Sequence, residues 1–240
     1  MVGESGCGKS TLARCLLRLT EPSAGRVRFD GVEVTALGPE PLRRLRRDIQ
    51  LVFQDPTAAL NPRLTVQQTV EEPLRLHAAL GRAERRAKTR EVLGRVGLGP
   101  ELLGRYPHEL SGGMKQRVAI ARVYANRPQV LLMDEPFGAL DAQTRTIMQE
   151  DLSEMFVAEK RTVLFITHSV EEAIYLGDRV VIMTARPGKI KKIIPITRDN
   201  LLPDRRQMRY DDVVNRKEFL DLKGDIWALI KAEILEKHIL

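Results

Sequence analysis

The sequence predicts an α/β fold built on a mostly parallel sheet, with an inserted helical subdomain and a carboxy-terminal helical extension. Three observations carry that prediction. A glycine-rich segment, residues 3–11, runs directly into a helix with leucines at helical spacing. After Ser111, short apolar runs alternate with helical stretches, the pattern of a sheet covered on both faces. Between these two regions, residues 65–96 form a charged helical stretch that interrupts the alternation. The 240 residues suffice to bury a sizeable core.

Residues 10–19 read as a helix because Leu12, Leu16 and Leu19 recur near helical spacing, and Glu21-Pro22-Ser23-Ala24-Gly25 ends it. Arg26-Val27-Arg28-Phe29 alternates polar and apolar. Asp30-Gly31 then supplies a tight turn before Val32-Glu33-Val34, so a hairpin is expected. Residues 49–53 make a short apolar strand that stops at Gln54-Asp55-Pro56. Over 65–96 the helical pattern is expected to break at Pro73 and Gly81. Further on, residues 114–126 read as helix and 130–133 as a buried strand. Helix 142–159, strand 162–167, short helix 170–176 and strand 180–184 continue the alternation. Residues 189–194 add a last strand after the Pro187-Gly188 turn.

Beyond Pro195 the pattern changes. Residues 197–212 are polar and read as loop, and 213–240 as one or two amphipathic helices. Their apolar stripe, Phe219, Leu222, Ile226, Leu229, Ile230 and Ile234, is expected to dock on the chain's own core. The organisation expected is therefore one domain over 1–195, with a helical subdomain at about 64–126, and an extension over 196–240.

Composition excludes several classes. The apolar runs at 130–133 and 163–166 are far too short to span a bilayer. Glu4 and Lys9 interrupt any apolar leader. Cys7 and Cys15 give no disulfide framework and fit a reducing cytosol. A membrane, if involved, is met through a partner. The formal charge of +7 raises the question of nucleic acid, yet the arginines sit in helical stretches (42–47 and 81–95) without interleaved aromatics. They read as solvated helical faces, with anionic lipid headgroups or an acidic partner as the functional alternatives, and no nucleic acid is expected.

The chemistry concentrates in three places. Gly3-Glu4-Ser5-Gly6-Cys7-Gly8-Lys9-Ser10-Thr11 satisfies the phosphate-loop pattern, in which backbone N–H groups and a helix amino terminus converge on phosphate oxygens. Lys9 is placed to reach the β- and γ-phosphates, and the Ser10 hydroxyl to bind Mg²⁺. That loop alone leaves kinase, helicase, GTPase and transporter open. The strand 130–133 delivers Asp134 and Glu135 to its carboxyl end, where ligands bind in open α/β sheets. Ser111-Gly112-Gly113 opens a second helix with a hydroxyl and free N–H groups, another anion-binding helix start.

With Leu110-Ser111-Gly112-Gly113-Met114-Lys115-Gln116-Arg117 between the loop and Asp134-Glu135, the chain resembles the ATP-binding cassette (ABC) ATPases, import-type subunits in particular, from Met1 to about Pro195. The resemblance implies a P-loop NTPase fold and ATP with Mg²⁺ as ligands. It implies that Asp134 holds Mg²⁺ through water and that Glu135 polarises the attacking water. It places Gln54 at the metal site and the transport partner, and His168 against the γ-phosphate. It also implies a head-to-tail homodimer or paired ATPase, each ATP lying between the phosphate loop of one subunit and the Ser-Gly-Gly of another, with Asp141 near that seam. The implied partners are integral permease subunits and, indirectly, a solute-binding protein. The implied location is peripheral, on the cytoplasmic face of the bacterial inner membrane.

The motifs divide on substrate. Phe53-Gln54-Asp55-Pro56-Thr57-Ala58-Ala59-Leu60-Asn61-Pro62-Arg63 is similar to oligopeptide, dipeptide and nickel importers. Residues 131–144, Thr167-His168-Ser169-Val170-Glu171-Glu172-Ala173 and Met183-Thr184-Ala185-Arg186-Pro187-Gly188 are similar to nitrate, sulfonate and taurine importers, which the longer similarity favours. A mosaic is the alternative. A non-transport ABC ATPase acting on DNA or ribosomes is a further one, although the coiled coil, zinc cysteines and tandem cassettes of such proteins are missing from the sequence. The family carries some forty residues ahead of its phosphate loop, with an adenine-stacking aromatic and a central strand. Only Met1-Val2 precede Gly3 here, so a loss of about 1–3 kcal/mol of base stacking and an impaired ATPase are expected.

Overall fold

Leu131, Leu132 and Met133 are at most 1 % exposed, and the strand that carries them is the axis of the molecule. The computed structural model describes residues 1–4, 6–159, 161–185, 187–196 and 205–237. Side chains are described for all of these except residue 207 and residues 234–237. Ser5, Arg186 and His238 lie outside the described residues, and Ile234 is described in its backbone alone.

Helix α1 (Lys9–Leu16) follows the glycine-rich loop. It stops short of Leu19 because Arg18 takes a left-handed φ of 48° and Leu19 N–H turns back to the Arg14 carbonyl. Strands β1 (Arg28–Phe29) and β2 (Val32–Glu33) pair antiparallel about Asp30-Gly31. Those two residues stand at φ 48° and 77°, the positive pair that a two-residue hairpin of matching twist requires. Helix α2 (Pro39–Leu45), strand β3 (Ile49–Val52) and the single turn α3 (Pro56–Ala59) come next.

The helical subdomain departs from expectation at Pro73. Helix α4 (Val66–His77) opens on a Thr65/Gln68 capping box and runs through Pro73. A proline at that site forfeits the bond to the Thr69 carbonyl. Burial of Val66, Val70 and Leu74 on one face, at i, i+4 and i+8, keeps the helix continuous. Gly81 does break the run, and it caps α5 (Arg82–Arg95), where its N–H donates to Glu84 Oε2 at 2.7 Å. Helix α6 (Gly112–Ala125) packs on both α4 and α5.

Strand β4 (Val130–Asp134) lies between β3 and β5 (Thr162–Ile166), all parallel, in the register Leu51, Leu132, Leu164. Alternate side chains leave opposite faces. Leu131 and Met133 join the large cluster with Ile120, Val123 and Leu152. Leu51, Leu132 and Ile166 pack with Ala13 and Leu17 on the other face. Burial of each such leucine stabilises by about 1.5–3 kcal/mol. Helix α7 (Ala142–Glu159) precedes β5, and α8 (Val170–Leu176) joins it to β6 (Arg179–Met183), which pairs antiparallel with β7 (Ile190–Pro195).

Val2 ties the two strand groups together. It is fully buried and bridges Thr167 and Ile182 in parallel, donating to Val181 O at 2.8 Å and accepting from Met183 N at 3.0 Å. The Met1 ammonium donates to Phe165 O at 2.5 Å. Burial, and secondarily the charge of Lys9, lowers its pKa from 8.0 to about 5. Between β5 and β6 lies a cavity of about 620 Å³, lined by Met1, Leu164, Phe165 and Val181 among others.

The loop expected over 197–212 is corrected from residue 205 onward, residues 197–204 lying outside those described. A 3₁₀ turn forms at Arg205–Gln207 and α9 (Tyr210–Val214) succeeds it. Polar contacts to the core fix both: Arg205 Nε donates to Ile174 O at 3.1 Å, and Tyr175 Oη donates to Met208 O at 3.0 Å. Helix α10 (Lys217–Lys237) docks on the core through Phe219, Leu222, Ile226 and Ile230. Among the described residues no helix is long and apolar enough to cross a membrane.

Candidate functional site

The site forms where the glycine-rich loop meets the carboxyl ends of β3, β4 and β5. Gly8 caps α1 at φ 97°, a backbone geometry that side-chain-bearing residues avoid. The turn delivers Lys9 inward, so that its side chain is 4 % exposed. The Lys9 Nζ donates to the Gly3 and Glu4 carbonyls, each at 2.8 Å, and lies 3.6 Å from Cys7 Sγ. The loop thus holds its own ammonium at its centre through carbonyl oxygens, contacts that an incoming polyanion can replace. Thr11 lies within α1, immediately beyond Ser10.

Ser10 Oγ donates to Asp134 Oδ1 at 2.8 Å, joining the loop to the end of β4. Asp134 is 4 % exposed. A hydroxyl and a carboxylate oxygen at this separation form a hard-oxygen donor pair that suits Mg²⁺. Among the described residues no group of three or more His, Cys, Asp or Glu could hold a metal.

Glu135 stands at φ 45°, rare for a residue with a side chain, and its N–H donates to Ile166 O at 2.9 Å. Backbone strain of this kind costs about 1–3 kcal/mol and clusters at functional sites. Its Oε2 accepts from Gln54 Nε2 at 3.2 Å and lies 3.1 Å from His168 Nδ1. Gln54 from the end of β3 and His168 from the end of β5 therefore orient one carboxylate oxygen from two sides. Gly3, Lys9, Ser10, Gln54, Asp134, Glu135 and His168 are all brought to one place.

Ser111, Gly112, Gly113 and Asp141 are not among them. Ser111 caps α6, its Oγ accepting from Met114 N at 3.3 Å. A Cβ on Gly113 would meet Thr144 Cγ2 at 2.5 Å, so the start of α6 is packed against α7. Asp141 accepts from Thr144 N at 2.9 Å, and this bond holds its carboxyl below the ordinary range. Among the described residues, no hydrogen bond of Ser111 or Asp141 reaches Lys9, Ser10, Asp134 or Glu135. The starts of α1 and α6 thus share no hydrogen bond between these residues within one chain.

Two further groups escaped sequence reasoning. A Cβ on Gly188 would sit 2.2 Å from the Cys7 carbonyl, so the Pro187-Gly188 turn braces the phosphate loop from behind. Glu172, on α8, accepts from Thr167 Oγ1 and from Gln149 Nε2 in a buried cluster under His168. Burial raises its pKa against the pull of those bonds. The Pro-Gly punctuation at 187–188 signals only a turn; the close approach needs the fold.

Glycine-rich loop, inward lysine, serine–aspartate pair and oriented glutamate on a parallel sheet define a P-loop NTPase fold. Within that class, residues 1–138 match the ABC transporter family model, and the chain belongs to that family. An uncharacterized ABC transporter ATP-binding protein of Methanocaldococcus jannaschii is 44 % identical over 236 residues, 98 % of this chain and 80 % of that protein. The oligopeptide transport ATP-binding protein AppF of Bacillus subtilis is 45 % identical over 187 residues, 76 % of this chain and 56 % of that protein. A solved dimeric ATP-binding cassette, in a post-hydrolysis state bound to ADP and Pi, superposes with a TM-score of 0.72. It is 34 % identical and the match covers 82 % of this chain and 84 % of that one.

Proposed function

We propose that the chain is the ATP-binding and ATP-hydrolysing subunit of an import-type ABC transporter, acting as a head-to-tail dimer on membrane permease subunits at the cytoplasmic face. One observation carries the reading: Glu135 is held by Gln54 and His168 beside the Ser10–Asp134 pair. In this reading the loop N–H groups and Lys9 bind the triphosphate, and Ser10 and Asp134 hold Mg²⁺, which supplies charge neutralisation at the phosphates. Glu135 accepts a proton from the attacking water, and His168 and Gln54 fix the carboxylate in position. Ser111, with the free N–H groups of Gly112 and Gly113, caps the phosphates bound by the partner copy, with Asp141 at the same seam.

That Ser111 shares no hydrogen bond with the Lys9 cluster within one chain supports the two-copy site. Mixing tests it. Lys9→Ala and Ser111→Asp chains, each inactive alone, regain ATP turnover when combined, because one of the two composite sites is then intact. A mixture as inactive as its components would remove the shared-site arrangement.

For the transported solute, peptides are the better-supported class. AppF is named for oligopeptide transport, and a Pseudomonas aeruginosa relative, 43 % identical, is named for di/tripeptide transport. This agrees with the segment 53–63 after β3. Nitrate, sulfonate or taurine is the second reading, carried by the segments 167–173 and 183–188. Stimulation of ATP turnover by a peptide permease, and not by a nitrate or sulfonate permease, separates the two.

A further inference from the structure

Away from the nucleotide site, α4 and α5 enclose a cleft of about 350 Å³, lined among others by Gln67, Glu71, Arg75, Arg82, Arg85 and Arg86. Four arginines and one acidic residue line it. Among the described residues, none of these arginines forms a salt bridge, although Arg18, Arg44, Arg95, Arg105, Arg117 and Arg206 all pair with carboxylates elsewhere in the chain. Glu71 offsets one of the four charges but forms no salt bridge with any of these arginines among the described residues: it is 8 % exposed and accepts from Gln67 Nε2 at 2.6 Å. Arg85 is pinned by Nη1 donating to Leu80 O at 2.6 Å, while its Nε is buried without an acceptor. The arrangement concentrates like charge in a concave surface, which raises the local potential for anions.

We propose that this cleft binds a phosphate-bearing anion, held by Arg75, Arg82, Arg85 and Arg86. A carboxylate satisfies a single guanidinium fork; several forks converging from two helices call for an anion with more oxygens and more charge. The cleft is larger than a bare phosphate and admits a phosphorylated headgroup. The source of that phosphate is either an anionic lipid or a free phosphorylated ligand. Arg75 precedes Leu76 and His77, which line a neighbouring groove with Phe53, so a lipid source rests on the importer reading, in which that groove meets the permease. Anion binding itself does not.

The test uses the full chain, with an Arg82→Gln/Arg86→Gln variant and, as a charge-matched control on α2, Arg43→Gln/Arg44→Gln. Sedimentation with phosphatidylcholine vesicles containing phosphatidylglycerol reads the lipid source, and calorimetry with pyrophosphate on chains already saturated with ADP, so that the phosphate loop is occupied, reads the free one. Weakening by roughly tenfold in the α5 variant alone, in the vesicle arm, establishes the lipid source. The same selective loss in the pyrophosphate arm alone establishes a free ligand. Equal behaviour of the two variants in both arms, or no binding of either probe, overturns the proposal. ATP affinity, measured in parallel, stays at the wild-type value in both variants and so reports separately on the nucleotide site.

Discussion

His168 Nδ1 and Glu135 Oε2 lie 3.1 Å apart at the ends of adjacent strands, and the same oxygen accepts from Gln54. Three neighbouring strands of the sheet thus converge on one carboxylate. Glu135→Gln keeps the shape and loses the basic oxygen. ATP turnover is expected to fall by about 10²–10⁴-fold, with ATP affinity within a few-fold of wild type and ATP-bound dimers accumulating on size exclusion. Turnover at the wild-type rate would remove Glu135 as the base.

Lys9 is the only buried lysine among the described residues, and both of its short contacts are to loop carbonyls. Removing it strips the loop of its central positive charge. Lys9→Ala is expected to weaken ATP binding by at least about 10–100-fold, from charge-assisted hydrogen bonds of about 1.5–3 kcal/mol. Titration calorimetry decides this, and micromolar affinity in the variant would count against the loop as the phosphate site.

Local pattern carried much of this architecture. Helices 142–159 and 170–176 match their sequence bounds, because a capping aspartate or serine marks each start. The phosphate loop, Asp134-Glu135 and Ser111-Gly112-Gly113 were legible as short contiguous runs. What pattern could not supply was anything set by approach between distant segments. Pro73 reads as a break until Val70 and Leu74 are seen buried on one face. Glu172 is a surface-looking acid in a helix until Gln149 and Thr167 close over it. Val2, a single residue, gives no periodicity at all, yet it joins two strand groups.

Ser111 has two separable duties. As N-cap of α6 it accepts from Met114 N, so Ser111→Ala should cost about 0.5–2 kcal/mol of stability. Ser111→Asp preserves the cap, since aspartate is as good an N-cap as serine, but sets a negative charge against a bound triphosphate. The aspartate variant is therefore expected to melt at the wild-type temperature and to lose ATP-driven dimerisation. If it dimerises normally with ATP, Ser111 acts only within its own helix.

Glu172 makes stability depend on pH in an unusual direction. Its folded pKa is raised, chiefly by burial, so the unfolded chain releases this proton first. Between the ordinary value of 4.5 and the raised folded value, the folded state binds more protons, and stability falls as pH rises through that window. Above it the loss is complete. The Met1 amine works the other way between pH 5 and 8, since its pKa is lowered and the unfolded chain holds the extra proton there. Comparison of Glu172→Gln with wild type cancels the amine. The variant, which like the protonated acid offers one acceptor oxygen and one donor in place of two acceptor oxygens, should gain stability over wild type as pH rises past 4.5. Parallel denaturation midpoints for the two across the acid-to-neutral range would show that Glu172 ionises normally.

Gly188 offers a way to move the phosphate loop without touching a phosphate ligand. Its Cβ would sit 2.2 Å from the Cys7 carbonyl, a backbone atom that no side-chain rotation can clear. Gly188→Ala must displace either the turn or the loop, and the loop is also where Gly3 would meet Met183 O at 3.0 Å from its own Cβ. Overpacking of this kind costs about 1–3 kcal/mol. Part of that strain should appear in ATP binding, as a loss of roughly tenfold in affinity measured by calorimetry below the melting temperature. Gly224→Ala is the matched control: it lies in α10, meets nothing within 4 Å, and exchanges a flexible residue for a helix former. It is expected to stabilise by about 0.5–1 kcal/mol and leave ATP affinity unchanged. If Gly188→Ala binds ATP as tightly as Gly224→Ala does, the turn at 187–188 does not position the loop.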